Sequence, residues 1–254
     1  MSNEAILSVE NLSKNFGGLA ALSEVSFEVP KGVIFGLIGP NGSGKTTMFN
    51  CISGVYKING GKVTFNGQDI TNLPSFKICH LGIGRTYQNV RPFSSLTVYQ
   101  NIRSGYMFSG KSHKGVSEEE EIRRIIDFVG LTGKEEEIAG GLPLAMRKRL
   151  EIGRALISKP ELLLLDEVAA GLNLTESQEI VELVHSVNKE GITILMVEHV
   201  MPIIMTVCNH IVVLAEGKKI AEGNPSEISQ NQKVIESYLG AEAMKEVNMD
   251  EMVQ

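Results

Sequence analysis

The segment Gly39-Pro40-Asn41-Gly42-Ser43-Gly44-Lys45-Thr46 constrains this chain more than any other. It follows a continuous apolar run, Val33 to Ile38, and precedes helical periodicity over Lys45 to Ser53. Strand, glycine-rich turn and helix thus come in the order of a phosphate loop. The glycines let backbone N–H groups turn inward around a polyphosphate, and the start of the helix adds positive potential there. Lys45 is expected to reach the terminal phosphates and Thr46 to offer its hydroxyl to Mg²⁺. Gly39, Asn41, Gly42, Ser43, Gly44 and Thr47 complete the expected nucleotide contacts.

A phosphate loop needs an acidic residue at the end of a neighbouring strand to hold the metal. Glu161-Leu162-Leu163-Leu164-Leu165-Asp166-Glu167 supplies it, with Asp166 on the metal side. Consecutive residues at a strand end diverge, so Glu167 is free to face the attacking water as general base. A helix cap is the plainer role for such a pair.

Further apolar runs at Ile192 to Val197 and Ile211 to Leu214 suit strands buried on both faces. Helical periodicity fits Ser117 to Val129, Ala145 to Ile157, Glu176 to Asn188 and Pro202 to Cys208, interleaved with those runs. The alternation predicts an α/β fold with a parallel core sheet. Residues 5 to 10, 24 to 29 and 62 to 70 alternate apolar and polar, which predicts an antiparallel β layer in the N-terminal third. Residues 89 to 158 lack a buried-strand run and read as an inserted helical subdomain. Its acidic clusters, Glu118 to Glu121 and Glu135 to Glu137, read as solvated helix faces. The expected organisation is one domain, with 1–88 and 159–240 as nucleotide-binding core and 241–254 as a tail that frays.

The 254 residues carry a net charge of −6, which removes the simplest electrostatic support for nucleic-acid binding. Cys51, Cys79 and Cys208 are far apart, fit no metal spacing and read as reduced, mostly buried thiols. The N-terminus lacks a basic region followed by an apolar stretch, so the chain is expected in the cytoplasm. No run approaches the roughly 18 to 20 apolar residues that cross a bilayer. Any membrane attachment is then expected through a partner.

Gln88 and His199 fall at strand ends or loops where a terminal phosphate can be sensed. A histidine alone is more often structural, and Phe16 alone reads as core. The order of these residues with the two loops is more specific. The chain resembles the ABC ATPases over essentially its whole length: Phe16, phosphate loop, Gln88, signature segment, Asp166-Glu167 and His199 occur in that family's order.

The resemblance implies that Phe16 stacks on adenine and that Gln88 links metal and water to the transporter-facing subdomain. It places His199 on the terminal phosphate and Asn173 in a loop facing a second ATPase subunit, with ATP and Mg²⁺ bound in a nucleotide-sandwich dimer, identical or paralogous. Further implied partners are integral membrane permease subunits, engaged through residues about 89 to 108, and, for an importer, an extracytoplasmic substrate-binding protein indirectly. The location implied is the cytoplasmic face of the inner membrane. The segments GIGRTYQNVRPFSSLTVYQNI, LEIGRAL, DEVAAGLN and VIESYLG narrow the resemblance to the ATP-binding subunits of branched-chain (hydrophobic) amino acid importers. The ATPases of urea importers and of lipopolysaccharide export share several of the same places. A soluble ABC ATPase outside transport is a further alternative, without the tandem cassette or basic arm it usually brings.

One segment departs from the family. Its signature, usually leucine-serine-glycine-glycine-glutamine and often leucine-proline-tyrosine-glycine in this branch, reads Leu142-Pro143-Leu144-Ala145-Met146 here. In the family this segment binds the phosphate held by the opposite subunit through a hydroxyl and backbone N–H groups, and Pro143 has neither. Pro143, Leu144 and Ala145 are therefore expected to make a weak contact in trans.

Overall fold

A computed structural model describes residues 4–87, 92–109 and 115–238. The chain forms two compact units, one of Met1–Asn72 with Val197–Gln254 and the other of Leu73–Met196.

The first unit opens with β1 (Ala5–Phe16) and β2 (Leu19–Pro30), an antiparallel pair with Lys14 opposite Leu22 and Phe16 opposite Leu19. Leu7 and Val9 of β1 and Val25, Phe27 and Val29 of β2 are buried, so period-two alternation fixes which face packs inward. The stretch read as one strand from 62 to 70 is two, β4 (Gly60–Phe65) and β5 (Gln68–Asp69). Asn66 (φ 47°) and Gly67 (φ 75°) turn the chain between Phe65 and its partner Gln68. An Asn-Gly pair suits this two-residue hairpin because both positions take positive φ. The antiparallel sheet runs β2-β1-β4-β5, the layer expected in this third of the chain.

β3 (Ile34–Ile38) is buried at all five residues and pairs in parallel with β9 (His210–Ala215), which pairs antiparallel with β10 (Lys218–Gly223). With no solvated face, β3 carries no alternation. α1 (Lys45–Ile52) starts at the phosphate loop, while α7 (Met201–Val207) and α8 (Pro225–Ser229) lie between and after the later strands.

The second unit contains α2 (Ser75–Leu81), then β6 (Ile83–Arg85) parallel to β7 (Leu162–Asp166), with β8 (Thr193–Val197) next to β7. Between β6 and β7 come α3 (Val98–Met107), α4 (Glu118–Phe128) and α5 (Leu144–Leu156). α6 (Leu174–Lys189) connects β7 to β8. Ser117 and Glu120 form a capping box that starts α4, and Ile122, Ile125, Ile126 and Val129 are buried at helical spacing. The fold is the expected α/β class, with parallel core strands, an antiparallel layer and helices between β6 and β7.

The expectation that the acidic clusters are solvated faces needs one correction. Glu121 is 4% exposed in its side chain and bridges Arg124 at 3.0 Å and Lys159 at 3.3 Å. The fourth glutamate of the run turns onto the side of α4 that carries Ile122 and Ile125. Burial raises its carboxyl, but the two cations outweigh that and hold it below the ordinary glutamate value. Cys51 and Cys208 are buried free thiols, and Cys79 is partly exposed. Burial pushes Cys51 up to about 11 and Cys208 up to about 12, so both are protonated at neutral pH.

Candidate functional site

In the first unit the phosphate loop is pinned by backbone approach. Gly39 (φ 149°) lies so close to the chain of β9 that a Cβ there would stand 2.0 Å from the Leu214 carbonyl oxygen and 2.6 Å from Ser43 Oγ. Gly44 (φ 104°) sits directly before α1, against Leu22 and the carbonyl of Ala21. Only glycine accepts both the dihedrals and the space. Ser43 N donates to Pro40 O at 3.2 Å, and Gly217 N donates to Ser43 O at 3.2 Å, tying the loop to the β9–β10 turn. Asn41 and Gly42 at the tip are exposed, as is Thr46 in the first turn of α1, with Thr47 partly covered.

Lys45 is 7% exposed, and its Nζ donates to the carbonyls of Gly39 at 2.7 Å and Pro40 at 2.9 Å. The ammonium therefore lies across the loop, where the inward amides of a phosphate cradle are expected. The helical stretch 232–238 brings a residue that sequence reasoning gave no role. The buried Tyr238 hydroxyl lies against the Gly39 amide, outside full hydrogen-bond geometry yet near enough to lower its pKa. Burial is the larger effect and pushes that phenol up to about 12.

Phe16 is the last residue of β1 and is 43% exposed, which sets aside the reading of this ring as core. It meets Tyr56 edge-on at 5.2 Å, and Lys14 Nζ lies 4.8 Å from its centroid. The β1–β2 register carries Phe16 to the end of the hairpin that also delivers Ala21 and Leu22 to Gly44. An open aromatic face near that end of the loop suits a flat base. His199 is exposed in the bend after β8. Gln88 lies outside the described residues.

In the second unit Asp166 ends β7 at 2% exposure, and its Oδ2 accepts from Arg85 at 3.2 Å. Thr86 Oγ1 accepts from Asp166 N at 3.2 Å, so the residues after β6 hold the end of β7 from the side. Arg85 is the companion of Asp166 that sequence reasoning missed; a cation three residues before Gln88 was its only trace. Glu167 follows in the left-handed region at φ 50°. Its carbonyl accepts from Lys148 Nζ at 2.8 Å and from Ala170 N at 3.2 Å. Asp166 thus ends the strand in extended backbone, and Glu167 turns the chain directly after it.

The segment 142–146 starts α5. Leu142 is buried, Pro143 is the N-cap with no side-chain cap bond, and Leu144 and Ala145 open the helix, partly exposed. First-turn amides have no acceptor within their own helix, so backbone donors remain where the serine hydroxyl is missing. Leu144 also lies against Gly171, 3.1 Å from the place of a Cβ there. Asn173 is exposed, and its Oδ1 accepts from Glu176 N at 2.9 Å while Glu176 caps the Asn173 amide, starting α6. The exposed apolar residue beside it is Leu174, 86% exposed.

Thr46 in the first unit and Asp166 in the second each carry a hard oxygen donor, the chemistry that Mg²⁺ favours over thiolate or imidazole.

Residues 22–170 match the family described as ABC transporter, and residues 218–244 match the family described as branched-chain amino acid ATP-binding cassette transporter. The probable branched-chain amino acid transport ATP-binding protein LivG of Archaeoglobus fulgidus is 42% identical over 247 residues, covering 93% of this chain and 96% of that one. The high-affinity branched-chain amino acid transport ATP-binding protein LivG of Salmonella typhimurium is 38% identical over 253 residues, covering 94% and 99%. Among solved structures, the ADP conformation of MJ1267, an ATP-binding cassette of an ABC transporter, matches with a TM-score of 0.85 at 36% identity, covering 93% of this chain and 99% of that chain.

Proposed function

The chain belongs to the ABC transporter ATPase family, and we propose that it is the ATP-binding and ATP-hydrolysing motor subunit of a branched-chain amino acid importer. The observation that carries the cargo class is that relatives 36% to 42% identical, matched over at least 92% of each chain, are named branched-chain amino acid transport ATP-binding proteins.

In this reading Phe16 stacks on adenine, and the amides of Gly39, Asn41, Gly42, Ser43 and Gly44 surround the phosphates with those of Lys45, Thr46 and Thr47. Lys45 leaves its carbonyl partners for the β and γ phosphates, an exchange of neutral acceptors for charged ones. Thr46, Asp166 and Gln88 are the residues that would hold Mg²⁺, which when bound would supply neutralisation of phosphate charge. Glu167 accepts the proton of the attacking water, and His199 steadies the terminal phosphate.

A second ATPase subunit closes over the nucleotide through Pro143, Leu144, Ala145 and the Asn173 loop. No helix among the described residues is long and apolar enough to cross a membrane. In this reading the chain attaches through permease subunits on the cytoplasmic face. An extracytoplasmic binding protein would deliver cargo to those permeases.

Reconstitution with the permease and binding-protein products of neighbouring genes tests the reading. ATP-dependent uptake of leucine, isoleucine or valine is expected. Uptake of urea but not these amino acids, or lipid release instead, would reassign the cargo while leaving the ATPase in place.

A further inference from the structure

Three charged residues of α5, spaced three apart, are drawn off the solvated surface. Lys148 is 4% exposed and Glu151 is 8% exposed, while Arg154 is partly covered. Steps of three keep them along one side of a helix. Each meets a different part of the second unit. Lys148 Nζ donates to the Glu167 carbonyl at 2.8 Å. Glu151 Oε1 accepts from the Tyr87 amide at 3.3 Å. Arg154 lies 4.7 Å from the centroid of the Phe93 ring. Phe93 is held in turn, since its amide donates to buried Asn101 Oδ1 at 2.9 Å and its carbonyl accepts from Asn101 Nδ2 at 3.1 Å.

Burying Lys148 and Glu151 and partly covering Arg154, on a helix that could have packed with leucines, is costly unless each polar group has a specific partner. Their partners include two backbone groups and a ring, in or near segments given chemical roles above. Tyr87 immediately precedes Gln88 in the chain, and Phe93 follows it by five positions. Glu167 is the proposed base, held at a φ that glutamate rarely adopts.

We infer that Lys148, Glu151 and Arg154 are positioning residues through which α5, the helix that begins at Pro143, sets the backbone of Glu167 and the chain on either side of Gln88. The inference rests on the ATPase reading. It assigns these side chains no contact with nucleotide; they act through main chain and through the Phe93 ring. Displacing the start of α5 then moves the base and the approach to Gln88 together.

The discriminating variants are at Glu151, because reach and charge can be separated there. Glu151→Gln keeps the length and an acceptor oxygen, whereas Glu151→Asp keeps the charge and retracts the acceptor by about 1.5 Å, one carbon–carbon bond. Turnover of the full-length chain should stay near wild type in the Gln variant. It should fall roughly tenfold in the Asp variant, the scale of a misplaced reacting group, with ATP affinity unchanged. Lys148→Met should lower turnover similarly at unchanged affinity. Hydrogen exchange at the Tyr87 amide should speed up in the Asp variant and not in the Gln variant. Wild-type turnover in the Asp variant, a loss in Gln as large as in Asp, or a parallel loss of turnover, affinity and melting temperature would each overturn the inference. A wild-type chain that binds ATP without hydrolysing it would defeat the ATPase reading instead, and the exchange measurement would still decide whether Glu151 holds Tyr87.

Discussion

Gly39 faces the carbonyl oxygen of Leu214 with no room for a side chain, since a Cβ would stand 2.0 Å from that oxygen. Forcing a methyl there costs about 1 to 3 kcal/mol, taken mainly from the shape of the loop. Gly39→Ala should weaken ATP binding about tenfold or more while far-ultraviolet dichroism is retained. Direct titration checks this, and an unchanged dissociation constant would mean that the loop relaxes elsewhere.

Glu167→Gln should keep ATP affinity and lose about 10² to 10⁴ in hydrolysis rate, because only proton acceptance is removed. Single-turnover kinetics at saturating ATP is the measurement. Near-wild-type turnover would move the base to another residue.

Phe16→Ala should weaken ATP by about 0.5 to 1.5 kcal/mol, the scale of an aromatic stacking contact. The ring is exposed enough that its loss should leave the fold intact. Tripolyphosphate binding should not change, and an equal loss for it would place Phe16 away from the base.

Glu151 gives stability a defined pH dependence. Burial raises its carboxyl to about 7, only partly offset by the Tyr87 amide, Arg154 and Lys148, with Asp166 raising it further. Below the unfolded value near 4.5 the group is protonated in both states and costs nothing. As pH rises through 7 the native state must hold a buried carboxylate, and that stability is lost. Glu151→Gln should therefore raise the melting temperature relative to wild type more at pH 8 than at pH 5. Equal differences at both pH values would show that Glu151 titrates as an ordinary carboxyl.

Pro143→Ser with Ala145→Gly should raise ATP-dependent dimerisation and turnover of the isolated chain, by restoring a hydroxyl and closer backbone approach at the start of α5. ATPase rate against protein concentration separates the two forms. Superimposable curves would mean that the amides of Leu144 and Ala145 already suffice for phosphate contact in trans.

The phosphate loop and Asp166-Glu167 were legible because both chemistries need fixed residue types at fixed spacing after an apolar run. β6 was not, since Ile83–Arg85 is three residues long and carries no periodicity of its own. β10, with Lys218 and Lys219 exposed, carries little strand signal for a related reason: it pairs along an edge and buries little. Lys148, Glu151 and Arg154 were hidden differently. In sequence they belong to a basic helix that resembles a solvated face, and only the tertiary partners at Glu167, Tyr87 and Phe93 reveal why they turn inward. Asn173, expected in a loop facing a partner, also starts α6 through a capping box with Glu176, a local role the reading did not include.

With Glu167 as the proposed base, its left-handed turn would set protein stability against catalysis. Glycine holds φ near 50° without strain and asparagine tolerates it well, whereas a glutamate there costs of order 1 kcal/mol. A screen that rewards heat resistance alone should enrich Gly or Asn at this position and return robust, nucleotide-loving chains that no longer turn over. Retention of glutamate under such selection would have to come from a simultaneous demand for work, which makes position 167 a readout of whether a laboratory lineage is still being asked to pump.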